Sequence, residues 1–388
     1  MKNLFNKDVQ SLGISGIIKM SEIIKTYDGV VALTIGEPDF QTPFLIKEAG
    51  KAAIDNNRTF YAPTAGEPAL RKAVSSFMER RYHLSYSPDT EIIVTNGTTE
   101  AVFLTLKTLL SPGDEVILAT PAYPGYEPVI KLCGGVLVPI DVSGTRFKLT
   151  KEQLEQAITP KTKAIILTFP SNPTGAILTK DELMDLAKVI EKHSVFVISD
   201  ELYSELVFDH PHQSIASFPS IREKVIVING VSKSHAMTGW RIGYTLAPSY
   251  ITNELFKVHE YLNTSISSIS QEAAVYALNH GEKEVEQMKL EYQKRRDYLC
   301  TRLNALGFDT AVPDGTFYAF PSITRFHHDS YAFSMELLEQ AKVGLLPSTV
   351  FTKGGSDRLR ISFAYSMEKL NEAMNRIEQY LKTNKKSI

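Results

Sequence analysis

Between residues 90 and 250, the sequence alternates short aliphatic, β-branched runs with stretches of helical periodicity such as residues 100–110 and 181–192. Continuous apolar strands that alternate with helices are typical of a mostly parallel sheet with helices on both faces. This pattern predicts an α/β fold with a seven-stranded sheet. The predicted strands are residues 91–94, 115–118, 136–138, 164–167, 195–198, 225–228 and 241–244.

The chain is too long for one small domain. Its 388 residues favour two lobes, or one large domain with an appendage. Residues 283–306 carry apolar side chains near helical spacing, which predicts a long helix between two lobes with a solvated charged face at residues 293–297. Residues 307–388 mix short strand and helix patterns, and we interpret the basic segment 382–388 as a frayed end.

Composition limits the classes of function. A net charge of −2 gives no basis for a nucleic-acid or membrane partner. The longest aliphatic runs are far shorter than a membrane span, and residues 1–8 lack the apolar core of a signal peptide. The two cysteines, Cys133 and Cys300, are far apart and have no metal-ligand spacing. We therefore expect reduced thiols in a cytoplasmic protein, and no metal site.

A lysine lies directly after a strand that we expect to be buried. Lys233 follows the strand at residues 225–228, and Arg241 comes eight residues later in an otherwise apolar segment. Desolvation lowers the pKa of a lysine and frees its amine for Schiff-base chemistry, while arginine offers a planar fork to a phosphate. A pyridoxal phosphate site needs both features. A solvated surface lysine is the alternative interpretation.

Other unusual residues also follow strands, at the edge where open parallel sheets bind ligands. Gly97, Thr98 and Thr99 lie between a strand and a helix, where hydroxyls and the first helical amides can bind a phosphate or simply cap the helix. The chain has no GxxxxGK[ST] signature, so this is not the usual nucleoside triphosphate loop.

Three more strand ends carry polar or aromatic side chains. Asp200 ends a buried strand, where it could pair with a pyridinium nitrogen or cap the next element. Tyr203 is close enough to reach the phenolate oxygen of the same ring. Asn172 lies between two prolines, which we expect to hold the backbone extended and prevent local turn bonding, so that the amide can meet a ligand. Tyr123 could cover a planar cofactor or belong to the core.

All of these signals suit pyridoxal 5′-phosphate, and the chain resembles the fold-type I aminotransferases of class I/II. The resemblance extends from residues 36–40 to residues 358–363, and residues 230–242 match the family signature around its lysine. It implies an aspartate aminotransferase-like large domain plus a smaller α+β domain from both chain ends. The implied boundaries are an N-terminal arm at residues 1–44, a cofactor-binding domain at 45–285 and a small C-terminal domain at 286–388.

The resemblance also implies a role for each residue. Lys233 would bind the cofactor covalently and shuttle the Cα proton. Asp200 would pair with the pyridine nitrogen, and Tyr203 and Asn172 would hydrogen-bond the phenolate oxygen. Further cofactor-binding residues would be Gly97, Thr98, Thr99, Ser232 and Arg241 around the phosphate, and Tyr123 on the ring. Arg360, Asn172 and the backbone of Gly36 would bind the substrate α-carboxylate.

Arg360 and Tyr61 carry additional expectations. Arg360 shares one face of an alternating strand with Arg358, so a solvated edge strand is the alternative to a carboxylate site. Tyr61 matches a family tyrosine that reaches the phosphate of the neighbouring subunit. The resemblance therefore implies a homodimer with shared active sites.

The implied activity is ping-pong amino transfer between an L-amino acid and a 2-oxo acid, with 2-oxoglutarate as the expected acceptor. The motifs at residues 121–128, 199–206 and 229–241 are most similar to bacterial N-acetyl-L,L-diaminopimelate aminotransferases, which indicates lysine biosynthesis. These motifs bind the cofactor, so aspartate or aromatic transamination and C–S β-elimination remain alternatives. Residues 13–19 are expected to line the side-chain pocket.

Two further classes of function, outside amino-acid metabolism, have less support in the sequence. A regulatory protein that senses the cofactor would carry a DNA-binding extension, for which the short N-terminus and the net charge give no indication. A metal hydrolase would have to use histidines that lack the spacing of a ligand cluster, namely His210, His212, His327 and His328.

Overall fold

The computed structural model describes residues 4–384, in which β-strands and α-helices alternate through the middle of the chain. The strands are β1 Val31–Ala32, β2 Ile92–Asn96, β3 Glu115–Thr120, β4 Val136–Asp141, β5 Thr162–Thr168, β6 Phe196–Asp200, β7 Val225–Gly230, β8 Ile242–Leu246, β9 Tyr318–Ala319, β10 Val343–Gly344, β11 Leu346–Pro347 and β12 Leu359–Ser362. The helices are α1 Lys7–Gln10, α2 Gly16–Lys25, α3 Phe44–Asp55, α4 Pro68–Tyr82, α5 Gly97–Leu109, α6 Tyr126–Leu132, α7 Lys151–Ala157, α8 Lys180–Glu191, α9 Ser249–Leu262, α10 Ser268–His280, α11 Glu282–Leu306, α12 Ser330–Glu336 and α13 Met367–Asn384.

Seven strands form the large sheet, in the order β2-β8-β7-β6-β5-β3-β4. Every neighbouring pair is parallel except the two pairs made by β8, which runs antiparallel to β2 and β7. The seven predicted strands and the mostly parallel sheet are thus confirmed, with strand ends shifted by at most three residues. The helices predicted at residues 100–110 and 181–192 correspond to α5 and α8.

Both faces of the sheet are covered, as its apolar strands require. In β5, Ile165 and Leu167 pack against α4, α8 and α10, whereas Ile166 packs against α5 and α6 on the other face. The same alternation holds in β7, where Val227 and Ile228 belong to the two different cores. Since β5, β6 and β7 are parallel, their carboxyl ends meet at one edge of the sheet.

The rest of the described chain joins residues from both ends. β1 pairs with β10, so Val31 lies beside Val343, and a three-stranded sheet in the order β11-β12-β9 packs with α11 and α13 around a second core. This agrees with a smaller α+β domain from both chain ends. The boundaries at residues 44 and 285 remain a prediction. None of the helices within residues 4–384 is long and apolar enough to cross a membrane.

Helix α11 corresponds to the helix predicted at residues 283–306, but the prediction of a solvated face at residues 293–297 was wrong for two side chains. Arg295 and Arg296 are 6 % and 4 % exposed. Arg295 pairs with Asp39 at 2.7 Å, and Arg296 pairs with Asp209 at 2.6 Å. Their charges are buried because carboxylates from distant segments meet them, which the local sequence does not reveal.

The basic end of the chain also differs from its interpretation as frayed. Residues 382–384 continue helix α13, which ends at Asn384. A 2.6 Å ion pair joins Lys382 to Glu378, one turn earlier in the helix. The remaining part of the predicted frayed segment, residues 385–388, lies outside the described residues.

Candidate active site

Lys233 lies in the turn that follows β7, at the carboxyl edge of the sheet. Its Nζ donates a 2.7 Å hydrogen bond to the carbonyl oxygen of Gly36, which comes from the N-terminal segment after β1. Burial lowers the pKa of Lys233 to about 8, and the cations Arg241 and Arg360 act in the same direction, while Glu37 opposes them. A sizeable fraction of this amine is therefore unprotonated near neutral pH, as a nucleophile requires.

Asp200 ends β6, one strand away from the lysine. Its register places it beside Thr168 of β5 and Ile228 of β7. The carboxylate accepts a 2.8 Å hydrogen bond from the Tyr126 hydroxyl, and a 3.2 Å bond from the backbone N–H of Leu202. Burial raises the pKa of Asp200 to about 6, and no cation in the described part of the chain forms an ion pair with it. The site thus holds a partly buried carboxylate that is available to a cationic ligand atom.

A Gly–Arg contact shapes the start of α5. The antiparallel register of β2 and β8 sets Asn96 opposite Ile242, which brings Arg241 against Gly97. Gly97 has φ +76°, a left-handed conformation that favours glycine, and the Arg241 guanidinium lies where a Cβ would be. Arg241 donates to the carbonyl oxygens of Thr238 at 2.9 Å and Asn96 at 3.4 Å. An arginine beside the N-terminus of a 13-residue helix suits an anion.

The hydroxyl residues predicted for this anion site lie around the same helix start. Thr98 is partly buried and Thr99 is exposed in the first turn of α5, and Ser232 is buried next to Lys233. The carboxylate of Glu100, in the same turn, accepts a 2.6 Å bond from the Asn96 N–H and lies 3.0 Å from His259 Nδ1. Glu100 therefore has its own partners behind the helix start.

Arg360 lies on the middle strand of the three-stranded sheet and is 1 % exposed. The alternative of a solvated edge strand is therefore wrong. One guanidinium nitrogen donates to Asn172 Oδ1 at 3.0 Å and another to the carbonyl oxygen of Thr34 at 2.5 Å, while Nε has no partner within residues 4–384. The rings of Tyr318 and Phe351 flank the cation at 4.3 and 4.9 Å. Burial lowers the pKa of Arg360 from its usual value.

The loop that carries Asn172 differs from its prediction. It is a turn rather than extended backbone, because the Gly175 N–H donates to the Ser171 carbonyl oxygen at 2.8 Å and the Ser171 N–H to that of Ala176 at 2.9 Å. The Asn172 side chain takes no part in these bonds and accepts from Arg360 instead. The prediction of an extended backbone was thus wrong, and the role of the amide in binding a ligand remains a prediction.

Tyrosines complete the group. Tyr203 is buried, and its hydroxyl lies 2.8 Å from that of Tyr318. Tyr123 is 40 % exposed and packs edge-on against Tyr126 at 5.6 Å. The sequence patterns give no role to Tyr126, which lies within residues 121–128, or to Tyr318, which lies on the short strand β9 whose register is not apparent from the sequence.

Several predicted residues are not brought into this group. Tyr61 is 86 % exposed, and no contact in the described chain joins it to the residues around Lys233. Within the predicted segment 13–19, Ile17 packs in a cluster with Phe351, which flanks Arg360. His212 is bonded to Glu201 at 2.9 Å, and no group of three or more metal-ligating side chains occurs within residues 4–384.

Comparisons with known proteins agree with this geometry. The model of the family "Aminotransferase class I and II" matches residues 28–377. The chain is 46 % identical over 381 residues to a probable N-acetyl-LL-diaminopimelate aminotransferase of Bacillus subtilis, covering 98 % of this chain and 96 % of that protein. It is 40 % identical to an aspartate aminotransferase of Pyrococcus abyssi, covering 95 % and 97 %. The crystal structure of an aromatic aminotransferase from Pyrococcus horikoshii superposes with a TM-score of 0.89 at 40 % identity, covering 94 % of this chain and 99 % of that one.

The chain therefore belongs to the class I and II aminotransferases. Its enzymatic activity is transamination, as the resemblance implied.

Proposed function

We propose that this aminotransferase works with pyridoxal 5′-phosphate bound covalently to Lys233. The observation that carries the proposal is a pair of ionisable groups without ion-pair partners in the described chain, Lys233 and Asp200, at the ends of adjacent strands. The pKa of Lys233 is lowered to about 8 and that of Asp200 is raised to about 6. An aldehyde and a pyridinium nitrogen are the partners that these two groups lack.

The other residues fit the remaining parts of the same cofactor. Arg241, the α5 amides and the hydroxyls of Thr98, Thr99 and Ser232 would hold its phosphate. The Arg241 guanidinium lies directly against Gly97, at the start of α5. Tyr203 and Asn172 would hydrogen-bond the ring oxygen, and Tyr123 would cover the ring.

Each protein group then has a defined task. When bound, the cofactor supplies an aldehyde carbon that bonds to amines and a conjugated ring that accepts the electron pair left on Cα. Asp200 would keep the ring nitrogen protonated, which would make that ring a stronger electron acceptor. Arg360, with Asn172 and the Gly36 backbone, would orient the α-carboxylate. Lys233 Nζ, freed by the donor amine, would accept the Cα proton and donate it again during the transfer. Release of the 2-oxo acid would consume one water molecule, and an acceptor such as 2-oxoglutarate would take up the amino group by the reverse sequence.

For the substrate, we propose an N-acetylated L,L-diaminopimelate as donor, within lysine biosynthesis. The identity of 46 % to a protein with that probable activity supports it, and the identities of about 40 % to aspartate and aromatic aminotransferases support the alternatives. We expect the residues that decide between these substrates to lie next to Arg360, on the side of Phe351, where Ile17 packs in the same apolar cluster as Phe351.

A half-reaction screen tests the substrate proposal. The cofactor-loaded protein is mixed with single donors, and loss of the lysine-bound cofactor absorbance is followed. We expect fast conversion by N-acetyl-L,L-diaminopimelate and slow conversion by aspartate and phenylalanine. The reverse order would assign a general aminotransferase. Continued product formation, beyond one equivalent per site and without any 2-oxo acid acceptor, would assign a β-lyase.

We also propose a homodimer in which Tyr61 reaches the phosphate site of the partner. The 86 % exposure of Tyr61, together with the 82 % exposure of the adjacent Phe60, supports an interface at this surface. A cytoplasmic location is supported by two buried free thiols, of which burial raises the pKa of Cys133 to about 11. Sedimentation tests the homodimer, which a monomer would contradict. Cell fractionation tests the cytoplasmic location, which a secreted protein would contradict.

A further inference from the structure

Tyr318 contacts three parts of the candidate site at once. It lies on β9 and is 1 % exposed. Its hydroxyl is 2.8 Å from the Tyr203 hydroxyl, and the Arg360 guanidinium lies 4.3 Å from the centre of its ring. A Cβ on Gly36 would collide with the Tyr318 hydroxyl, so this oxygen also lies directly against the backbone that accepts the bond from Lys233.

Only one hydrogen can lie between the two tyrosine oxygens, so the direction of this bond decides where the other hydrogen points. Burial raises the pKa of both phenols and places that of Tyr203 well above its usual value. Arg360, which lies over the Tyr318 ring, acts to lower the pKa of both phenols, whereas the Asp200 carboxylate acts to raise that of Tyr203. Tyr318 is therefore the better donor of the two, which favours a bond from Tyr318 to Tyr203.

This direction leaves the Tyr203 hydrogen free. The Tyr203 hydroxyl has no second partner in the described part of the chain. Its hydrogen then points into the site, where the proposed function places the cofactor ring oxygen. With the reverse direction, Tyr203 could only accept a hydrogen bond, and a phenolate oxygen offers none.

We propose that Tyr318 is a positioning residue that aims the Tyr203 hydroxyl hydrogen at the cofactor and fixes the plane of the Arg360 guanidinium. One side chain would thereby align the contact to the cofactor with the contact to the substrate carboxylate. This inference rests on the proposed function, because it takes the cofactor to lie beside Tyr203.

The hydroxyl and the ring of Tyr318 can be tested separately. Tyr318→Phe keeps the ring under Arg360 and removes the donor to Tyr203. A weaker bond from Tyr203 leaves more negative charge on the cofactor ring oxygen, which holds the proton of the Lys233 linkage more tightly. We expect the spectroscopic pKa of that linkage, measured in the loaded protein without substrate, to rise by about 0.5 to 1 unit. The charged groups that face Lys233, namely Glu37, Arg241 and Arg360, are the same in both proteins, and so is Asp200 beside Tyr203.

We expect the hydroxyl of Tyr318 to affect mainly kcat and its ring to affect mainly KM. Tyr318→Phe should lower kcat several-fold and leave the KM of the 2-oxo acid within about twofold, because the ring contact to Arg360 remains. Tyr318→Leu also removes the ring, and we expect the KM to rise about tenfold. A purely structural role would change both parameters alike in the two variants.

Tyr86→Phe is a matched control. Tyr86 is also buried under a guanidinium, that of Arg222 at 4.0 Å, and its hydroxyl has no hydrogen-bond partner within residues 4–384. We expect this variant to keep the wild-type linkage pKa. The Tyr318 proposal is overturned if Tyr318→Phe titrates like the wild type, or if Tyr86→Phe shifts as much. If the wild type itself shows no titrating lysine-bound cofactor, the proposed function fails instead, so the two failures are distinguishable.

Discussion

Arg360 donates a 3.0 Å hydrogen bond to Asn172, which joins the small three-stranded sheet to the loop after β5 of the large sheet. The sequence separates these residues by 188 positions. The bond turns the amide away from its own loop and holds a fully buried guanidinium at the carboxyl edge of the large sheet. Burying a cation without an ion-pair partner costs free energy of folding. We therefore expect a buried arginine at this place to have a function.

Arg360→Lys should keep the charge and lose the planar fork. A lysine cannot bond Asn172, Thr34 and a carboxylate in the same geometry. We expect the KM of both substrates to rise by about 100-fold, since charged hydrogen bonds contribute roughly 1.5–3 kcal/mol each. Arg358→Lys, directly before β12, is the matched control and should change KM by less than about threefold, because Arg358 stacks on Phe147 and bonds the Phe320 carbonyl oxygen. Equal effects of the two substitutions on KM would contradict the assignment.

The lowered pKa of Lys233 predicts how the cofactor-free protein takes up pyridoxal 5′-phosphate. Only the unprotonated amine can attack the aldehyde. The rate of covalent attachment should therefore rise with pH and level off above about 8, where an ordinary lysine would still be protonated. Stopped-flow absorbance at a series of pH values measures this, with pyridoxal phosphate and free Nα-acetyl-lysine as the reference. A rate that continues to rise to pH 10 would show that the amine is not desolvated.

Asp200 predicts a pH dependence of cofactor affinity in the acid range. Its pKa is raised to about 6, so its carboxyl group is protonated below that pH and can no longer pair with a pyridinium nitrogen. The affinity of the wild type should fall as pH decreases through 6. Asp200→Asn should bind more weakly above pH 6 and lose this part of the pH dependence, which equilibrium dialysis can measure. Parallel pH curves for the two proteins would be inconsistent with the pairing.

A shared active site predicts recovery of activity in mixed dimers. Lys233→Ala should lower turnover by at least about 1000-fold, and Tyr61→Ala should weaken cofactor binding through loss of the partner's side chain. Refolding the two variants together should restore about a quarter of the wild-type sites, since half of the dimers are mixed and each contains one complete site. Each variant refolded alone is the control. No recovery in the mixture would argue against a site built from two chains.

The large sheet was predictable from the sequence because its strands are continuously apolar and are separated by amphipathic helices. Val225–Gly230 is buried at every position. A continuous apolar run of this length is typical of a strand that is covered on both faces of a sheet. The polar residues at or just after the ends of these strands, such as Lys233 and Asp200, were predictable because a charged side chain is unusual next to a continuously apolar segment. Local composition was sufficient wherever a residue is unusual for its own segment.

Residues that depend on distant partners were not predictable. The burial of Arg295 follows from Asp39, 256 positions away in the sequence. The contacts of Tyr318 are with Tyr203 and Arg360, and these three residues belong to three different segments of the fold. The turn at Asn172 depends on which backbone groups bond within residues 171–176, and two flanking prolines did not define it. Such contacts are set by tertiary packing, which overrides the local pattern.

The central claim is that Lys233 carries the cofactor. Borohydride reduction of the protein loaded with pyridoxal 5′-phosphate fixes the cofactor to the amine that holds it, and peptide mass mapping then identifies that residue. We predict one modified peptide, with the label on Lys233, and none when the same experiment is done on Lys233→Ala. A label on another lysine, or an unlabelled protein that still transaminates, would contradict the account.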